Sequence, residues 1–407
     1  MGALRQRNTG GTAPERGMLT SPEAHRSFGV PGMRVGFDAR WYNDSGVGTY
    51  VAGLLGEFAR QRLDFDLVIY ESAENPVPAL DSNTFERVQL SSGRYAPRSQ
   101  WELKRRVITD GLDVFHSPFY WSPLLVSCPV VITIHDLIPL LFPIYSWPKR
   151  MLVNAGHRMA ARQSTEIIAV SAHTARDIEK VLHAPSGRIH VVHNAADRTF
   201  FHPEKQTSEL DELAQKYGIR PPFVVAGSAR NWRTKNLPAA LRALALARKK
   251  TGTEFQTVVY GPEEGLKAAL AQSHADDLNL VTTGYLKAQE LGMLFRHAHA
   301  FIMPSLYEGF GLPALEAMSC GCAVVVSSGG SLAEIAGGGA QVFAAGDTEK
   351  MAEAIAKLVC NPQELRVWQQ RALIRAADFS WSRAAEQTIS VYDRAVARRR
   401  LRASTNF

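Results

Sequence analysis

The run PSLYEGFGLPALEAMSCGCAVV, residues 304–325, constrains this chain more than any other stretch. An apolar strand pattern, AFIMPS (Ala300–Ser305), leads into a glycine-rich loop, EGFGLP. A helical segment follows, and then a second apolar strand pattern, CAVVVSS (Cys322–Ser328). Strand, loop, helix and strand in that order make a βαβ unit, a crossover between parallel strands.

The alternation repeats on both sides of this unit. MRVGFDAR (Met33–Arg40) reads as a strand, with a loop, WYNDSGVG, and a helix from Thr49 after it. Val51, Leu54, Leu55 and Phe58 recur on one face of that helix. FDLVIY, VFHSP, VVITIHD, EIIAVS and IHVVHN supply further strands. A break with Pro203 and the charged segment SELDELAQKYG precedes a second series, PFVVAGS, QTVVYG, NLVTTG and the unit above. Strands alternating with helices predict doubly wound parallel sheets. A chain of 407 residues favours at least two domains. Residues 1–32, rich in Gly, Pro, Thr, Ser and Arg, are expected to be a disordered extension. They lack the apolar core of a secretory leader.

The EGFGLP loop opens a helix, where free N–H groups bind anions. Gly309 and Gly311 allow close backbone approach. Glu308 thus stands beside a phosphate cradle, and Glu316 about two helical turns further on. A sugar nucleotide suits this arrangement, with its diphosphate on the helix end, sugar hydroxyls on Glu308 and ribose hydroxyls on Glu316. A second strand-to-helix loop, GSARNWRTKN (Gly227–Asn236), gathers Arg230, Arg233 and Lys235. Fixed cations there would stabilise charge building on a leaving diphosphate.

The E308/E316 stretch resembles the E-x7-E motif of the retaining GT-B glycosyltransferases of family 4, which include many bacterial mannosyl- and glucosyltransferases. The resemblance runs over roughly residues 33–397. It implies an α/β GT-B fold, two doubly wound Rossmann-like domains facing an interdomain cleft. Residues 33–203 would bind acceptor and 204–380 the nucleotide sugar, with a basic C-terminal helix, 381–407, crossing back to the first domain. On the donor side it implies Gly309, Phe310, Gly311, Leu312 and Glu316. Lys235 matches the family lysine; the order R-T-K-N in place of R-K-N leaves Arg230 and Arg233 as candidate partners, Arg230 being nearer the strand end. Loops YGPEEG and TGYL would line the base, with Tyr285 and Leu286 as contacts, although the Tyr285 ring also suits core packing.

For Glu308 a nucleophilic role competes with orientation of the donor sugar, and the resemblance favours orientation. His135, in TIHDLIPLLFP, resembles the family's His-Asp element near the donor sugar, and Asp136 would brace the loop or touch the acceptor. DSGVGTY resembles the first glycine loop of the family, so Gly46 and Gly48 are expected near acceptor or phosphate. It is not a dinucleotide fingerprint, since Val51 stands where the third glycine belongs.

Net charge +7 fits an anionic partner. Basic and apolar residues interleave in Trp101–Ile108 and Trp147–Arg162, and Leu140, Leu141 and Phe142 are candidates for the cleft rim. This suits peripheral contact with an anionic membrane on its cytoplasmic face, or ordinary amphipathic helices packed on a sheet. Three prolines and a histidine in 114–134 argue against a span. Four cysteines make no disulfide framework and suggest a reducing cytoplasmic compartment; Cys320 and Cys322 read as small packing residues. The pair Asp64 and Asp66 opens a strand, where metal-holding D-x-D motifs end one, so no metal is expected. No cofactor is expected besides the nucleotide sugar co-substrate, GDP-mannose first and UDP- or dTDP-sugars next. No nucleic-acid module appears. The expected activity is retaining hexosyl transfer to a glycan or lipid-linked oligosaccharide in surface polysaccharide assembly. Rival readings are an epimerase or phosphorylase on the same fold, or a non-catalytic nucleotide-sugar-binding subunit.

Overall fold

The structure is a computed structural model, and it describes residues 32–404 apart from 43–44, 62, 81–84, 92–95 and 277. The extension expected to be disordered lies, over residues 1–31, outside the described residues.

Two parallel sheets organise the chain. The first holds β1 (Arg34–Asp38), β2 (Asp66–Ser72), β3 (Phe85–Leu90), β4 (Val114–Ser117), β5 (Val130–Ile134), β6 (Glu166–Ala169) and β7 (Ile189–Val191) in the order 3-2-1-4-5-6-7. The second holds β8 (Phe223–Ser228), β9 (Gln256–Tyr260), β10 (Leu280–Thr282), β11 (Ala300–Met303), β12 (Ala323–Ser327) and β13 (Gln341–Phe343) in the order 10-9-8-11-12-13. Every strand pairing between them is parallel. Each order reverses direction once, between β1 and β4 and between β8 and β11. Crevices at such reversal points are where open α/β sheets bind ligands. Strands β4, β5, β11 and β12 are buried throughout, as parallel strands covered on both faces must be.

The first sheet carries α1 (Ser45–Arg60), α2 (Pro97–Thr109), the short α3 (Ile138–Leu141), α4 (Trp147–Gln163) and α5 (Ala172–Leu182). The second carries α6 (Thr207–Tyr217), α7 (Leu237–Thr251), α8 (Glu263–Ser273), α9 (Ala288–His297), α10 (Leu312–Ser319), α11 (Leu332–Ala336), α12 (Thr348–Cys360) and α13 (Pro362–Ala376). The last helix, α14 (Trp381–Ser404), leaves the second unit and packs on α1, β4, β5 and β6 of the first. Its Trp381 ring fills the space beside Gly53, so a side chain there would collide with it.

The apolar face Val51, Leu54, Leu55 and Phe58 is fully buried, as its spacing requires. Helix α1 nevertheless begins at Ser45, four residues ahead of the expected Thr49. Gly46 and Gly48 therefore sit in its first turn rather than in a loop. Cys320 and Cys322 are buried packing residues. At the cleft rim Leu140 is buried beneath α3 rather than exposed, whereas Leu141 is exposed and Phe142 meets the Tyr307 ring edge-on.

Candidate active site

The loops at the reversal point of the second sheet build one wall. After β8 the chain runs through Ser228 to Asn236, with Asn231 and Asn236 both in the left-handed region. Asparagine tolerates that conformation better than other side chains with a Cβ. The turn aims Lys235 at the loop after β11, where its Nζ lies 2.6 Å from Glu308 Oε1. The Thr234 carbonyl accepts the Leu306 N–H at 2.8 Å, tying the two loops together. Arg233 lies over the Trp232 ring, while the exposed Arg230 guanidinium has no side-chain partner among the described residues.

The glycines of EGFGLP answer two separate needs. Gly311 has φ +96°, in the left-handed region, and starts α10. At Gly309 a Cβ would lie 1.8 Å from the His135 carbonyl oxygen and 2.8 Å from Asp136 Cβ. Gly309 is thus a point of close approach between the domains, and it brings Glu308 to the end of β5. Phe310 is buried with its ring against Phe379, and Leu312 packs at the core edge.

Glu316 points from α10 into a buried setting. Among the described residues its carboxylate has no hydrogen-bond partner. Burial pushes its pKa up to about 7, against the pull of Lys235. The same environment raises Tyr260, first through burial and then through the charges of Glu316 and Glu308. A small cavity between these loops is lined by Gly227, Lys235, Tyr260, Pro304 and Pro313.

The opposite wall is the end of β5. His135 Nε2 lies 2.9 Å from the Pro118 carbonyl oxygen. A carbonyl only accepts, so Nε2 carries the proton and Nδ1 keeps a lone pair. Burial holds the pKa down at about 4, so the ring is neutral near pH 7. Tyr50 meets it edge-on, with ring centroids 5.0 Å apart. Behind Tyr50 runs a buried chain: Tyr50 OH to Thr133 Oγ1 at 2.9 Å, Thr133 Oγ1 to His116 Nε2 at 2.9 Å, and His116 Nδ1 to Tyr392 OH of α14 at 2.7 Å. Asp136 accepts the Ile138 N–H at 2.9 Å. Burial, aided by the charge on Glu308 and opposed by Lys235, brings it up to about 6.

Glu308, Lys235, Asp136 and His135 thus converge across the cleft, with Glu316 behind them. Tyr285, after β10, is 77% exposed and so takes no part in the core, whereas Leu286 is buried in it. Gly46 is exposed, with open space where a Cβ would stand, and Gly48 is buried. Tyr50 and His116 join the wall without having stood out in the sequence. Their only signal is polarity within apolar strand and helix patterns.

A sequence model described as glycosyl transferases group 1 matches residues 209–375, and one for glycosyltransferase family 4 matches residues 45–200. The chain belongs to the group 1 glycosyltransferases. It is 32% identical, over 59% of its length, to the MMP alpha-(1->4)-mannosyltransferase of Mycolicibacterium hassiacum. It is 28% identical over 66% of its length to the serotype-specific mannosyltransferase WbdA of Escherichia coli. The matches span 57% and 34% of those two relatives. It is also 27% identical to the O-antigen chain mannosyltransferase B of Escherichia coli, over 73% of this chain and 77% of that one. Sucrose-phosphate synthase from Thermosynechococcus elongatus superposes with TM-score 0.71 at 17% identity, covering 90% of this chain and 99% of its own. The lipopolysaccharide glycosyltransferase WaaG superposes with TM-score 0.64 at 15% identity, covering 88% and 99%. This group 1 glycosyltransferase has the GT-B fold, and its converging residues lie between the two Rossmann-like domains.

Proposed function

We propose that this group 1 glycosyltransferase moves a hexose, mannose in the first instance, from a nucleotide diphosphate to a hydroxyl of a glycan or lipid-linked oligosaccharide, with retention at the anomeric carbon. The observation that carries this reading is the Lys235–Glu308 pair set against His135, with the unpartnered Glu316 behind it. A vicinal ribose diol matches the two oxygens of Glu316. Lys235, the free Arg230 and the first turn of α10 face the charge that develops on the leaving diphosphate, so no metal is needed. Glu308 and the His135 Nδ1 lone pair accept hydroxyls of the donor sugar and orient the ring. The acceptor oxygen attacks the anomeric carbon from the face the diphosphate leaves. The carbon–phosphate-oxygen bond breaks as the new glycosidic bond forms, and the acceptor proton passes to a diphosphate oxygen.

Mannose is favoured by the names of the relatives, among them a serotype-specific mannosyltransferase and an O-antigen chain mannosyltransferase of E. coli, and GDP is the first nucleotide to test with it. These names also favour a place in surface polysaccharide assembly. The membrane reading is supported by α4, where Trp147, Met151, Leu152 and Met159 are exposed. From Leu137 to Thr165 the chain carries Lys149, Arg150, Arg158 and Arg162 and no acidic residue. An apolar stripe with a basic flank suits the headgroup layer of an anionic leaflet on the cytoplasmic side.

Calorimetric binding of GDP, UDP, dTDP and ADP, without metal, tests the donor site. One clear preference that Glu316→Ala weakens is the expected result. Incubation of the preferred nucleotide's sugar with glycan acceptors, followed by NMR of the product's anomeric proton, tests retention. Absence of binding by all four to folded protein would refute the donor assignment, and an inverted product would refute same-face attack.

A further inference from the structure

We propose that Ser171 and Thr174, at the start of α5, are positioning residues that hold Glu308 in place from across the cleft, so that the donor loop is complete only when the domains are closed. The inference rests on the donor role given above to Glu308.

The Gly309 carbonyl accepts two hydroxyls from the other domain, Ser171 Oγ at 2.7 Å and Thr174 Oγ1 at 3.0 Å. Both side chains are completely buried. Ser171 Oγ also caps α5 by accepting the Thr174 N–H at 3.0 Å. Its single proton faces two acceptors, the Gly309 carbonyl at 2.7 Å and Thr174 Oγ1 at 3.1 Å, the carbonyl being the nearer. The preceding carbonyl, that of Glu308, is held from its own domain by the Ser331 N–H at 3.0 Å and Ser331 Oγ at 3.1 Å. Consecutive carbonyls at the donor-orienting residue are therefore anchored on opposite domains.

The rest of the α5 start is spent on the second domain as well. Glu334 of α11 accepts the N–H groups of Ala172 at 2.9 Å and His173 at 3.1 Å, and its carboxylate also meets His193 Nε2 at 2.8 Å. Burial works to raise the Glu334 pKa, but these three partners outweigh it and keep the group charged. Tyr307, one residue before Glu308, donates to Asp177 at 2.5 Å. The free N–H groups of a helix start are ordinarily met by a capping side chain or by water. Here each of these groups meets a partner within the chain, most of them from the second domain.

Two features separate positioning from mere adhesion. The anchored carbonyl belongs to the residue that follows Glu308. It also stands where no side chain fits between loop and His135. Opening the cleft would free the Gly309 carbonyl and remove one of the two anchors that fix the loop around Glu308, leaving Ser331 on the Glu308 carbonyl and Lys235 on its carboxylate.

The test uses the full chain with Ser171→Ala/Thr174→Val, Thr174→Val and Thr174→Ser. Hydrogen exchange of the ligand-free protein is followed at the amides of residues 306–312. In the double variant these amides are expected to exchange about tenfold faster, with Thr174→Ser close to wild type. Turnover is then measured with GDP-mannose and UDP-glucose. The double variant is expected to lose about tenfold in kcat, with donor KM within about twofold of wild type and Thr174→Ser restoring the rate. Unchanged exchange would overturn the anchoring. Faster exchange with unchanged kcat, or a loss in which Thr174→Ser is no better than Thr174→Val, would overturn the positioning role. If wild type turns over neither sugar, the donor reading fails on its own, and the exchange result still decides whether the anchor exists.

Discussion

The Lys235 ammonium and the Glu308 carboxylate lie 2.6 Å apart, on loops that follow the two strands flanking the reversal point of the second sheet. Each is the principal charge near the other, and the Glu308 side chain is only 10% exposed. Removing the cation leaves a nearly buried carboxylate alone. Lys235→Met is expected to lower stability by about 1–3 kcal/mol and turnover by about a hundredfold or more. Lys235→Met/Glu308→Gln should regain the stability and none of the turnover. Denaturant melts of the two variants beside steady-state rates check this.

If Glu316 binds the donor ribose as proposed, it does so at a cost in stability. Its pKa rises from the usual 4.5 to about 7 in the folded chain, because burial disfavours the charged form. The folded state then binds the proton more tightly than the unfolded state. Its contribution to stability is complete below pH 4.5 and is lost as pH rises through 7. Glu316→Gln removes a charge that the folded chain accommodates poorly. Thermal melts are expected to show the variant more stable than wild type by about 1–3 kcal/mol at pH 8, and equal to it near pH 4.5. Calorimetry with GDP should show weaker binding by the same variant at pH 8, where wild-type Glu316 offers two accepting oxygens, and a smaller difference near pH 4.5, where its carboxyl is protonated.

His135 has the opposite sign. Burial lowers its pKa from 6.5 to about 4. Its contribution to stability is present above pH 6.5 and disappears as pH falls through 4. The stability gap between wild type and His135→Asn should therefore be widest above pH 6.5 and close near pH 4. Because the ring stays neutral, the pH profile of kcat should show no step attributable to it between pH 5.5 and 8. A step with a midpoint near 6.5 that His135→Asn abolishes would contradict the neutral, Nε2-protonated ring.

If Lys235, Arg230 and the start of α10 carry the leaving-group charge, a chelator should leave the rate unchanged. Equal kcat in EDTA and in excess Mg²⁺ is the expected outcome. A loss of tenfold or more in EDTA, restored by Mg²⁺ or Mn²⁺, would show that these cations do not suffice.

The exposed stripe of α4 gives a binding measurement. Trp147 is 74% exposed and Leu152 64%. Sedimentation with vesicles containing phosphatidylglycerol should exceed that with phosphatidylcholine alone, and should weaken with salt. Trp147→Ala/Leu152→Ala should reduce it about tenfold without altering the melting temperature, since neither side chain is in the core. Equal binding by both proteins would remove α4 as the contact surface.

The parallel sheets and the Glu308–Glu316 unit were legible in the sequence, because long apolar runs and paired glycines leave few alternatives. β3 was not. Its sequence FERVQL lies at a sheet edge, and only Val88 and Leu90 are buried, so no apolar run announces it. The early start of α1 was hidden by two glycines, which usually mark loops. Lys235 was found by its place in a strand-to-helix loop. Ser171 and Thr174 escaped because serine and threonine at a helix start cap the helix in any protein, and their partner lies 138 and 135 residues away. Tyr285 carried two readings in the sequence, and its exposure removes one of them.

Helix α14 has a consequence for how the molecule is made. His116 of β4 finds its Tyr392 partner, and the buried Glu166 of β6 its Arg398 partner, in the last stretch of the described chain. While the ribosome is still making the second sheet, the first is complete in strands but lacks its final covering. His116 then has Thr133 but not Tyr392, and the buried Glu166 has His190 but not Arg398. The first half therefore lacks these contacts until α14 has been made. Ribosome-bound chains ending near residue 380 should be cut by protease within the first domain, and chains that have released residue 404 should resist.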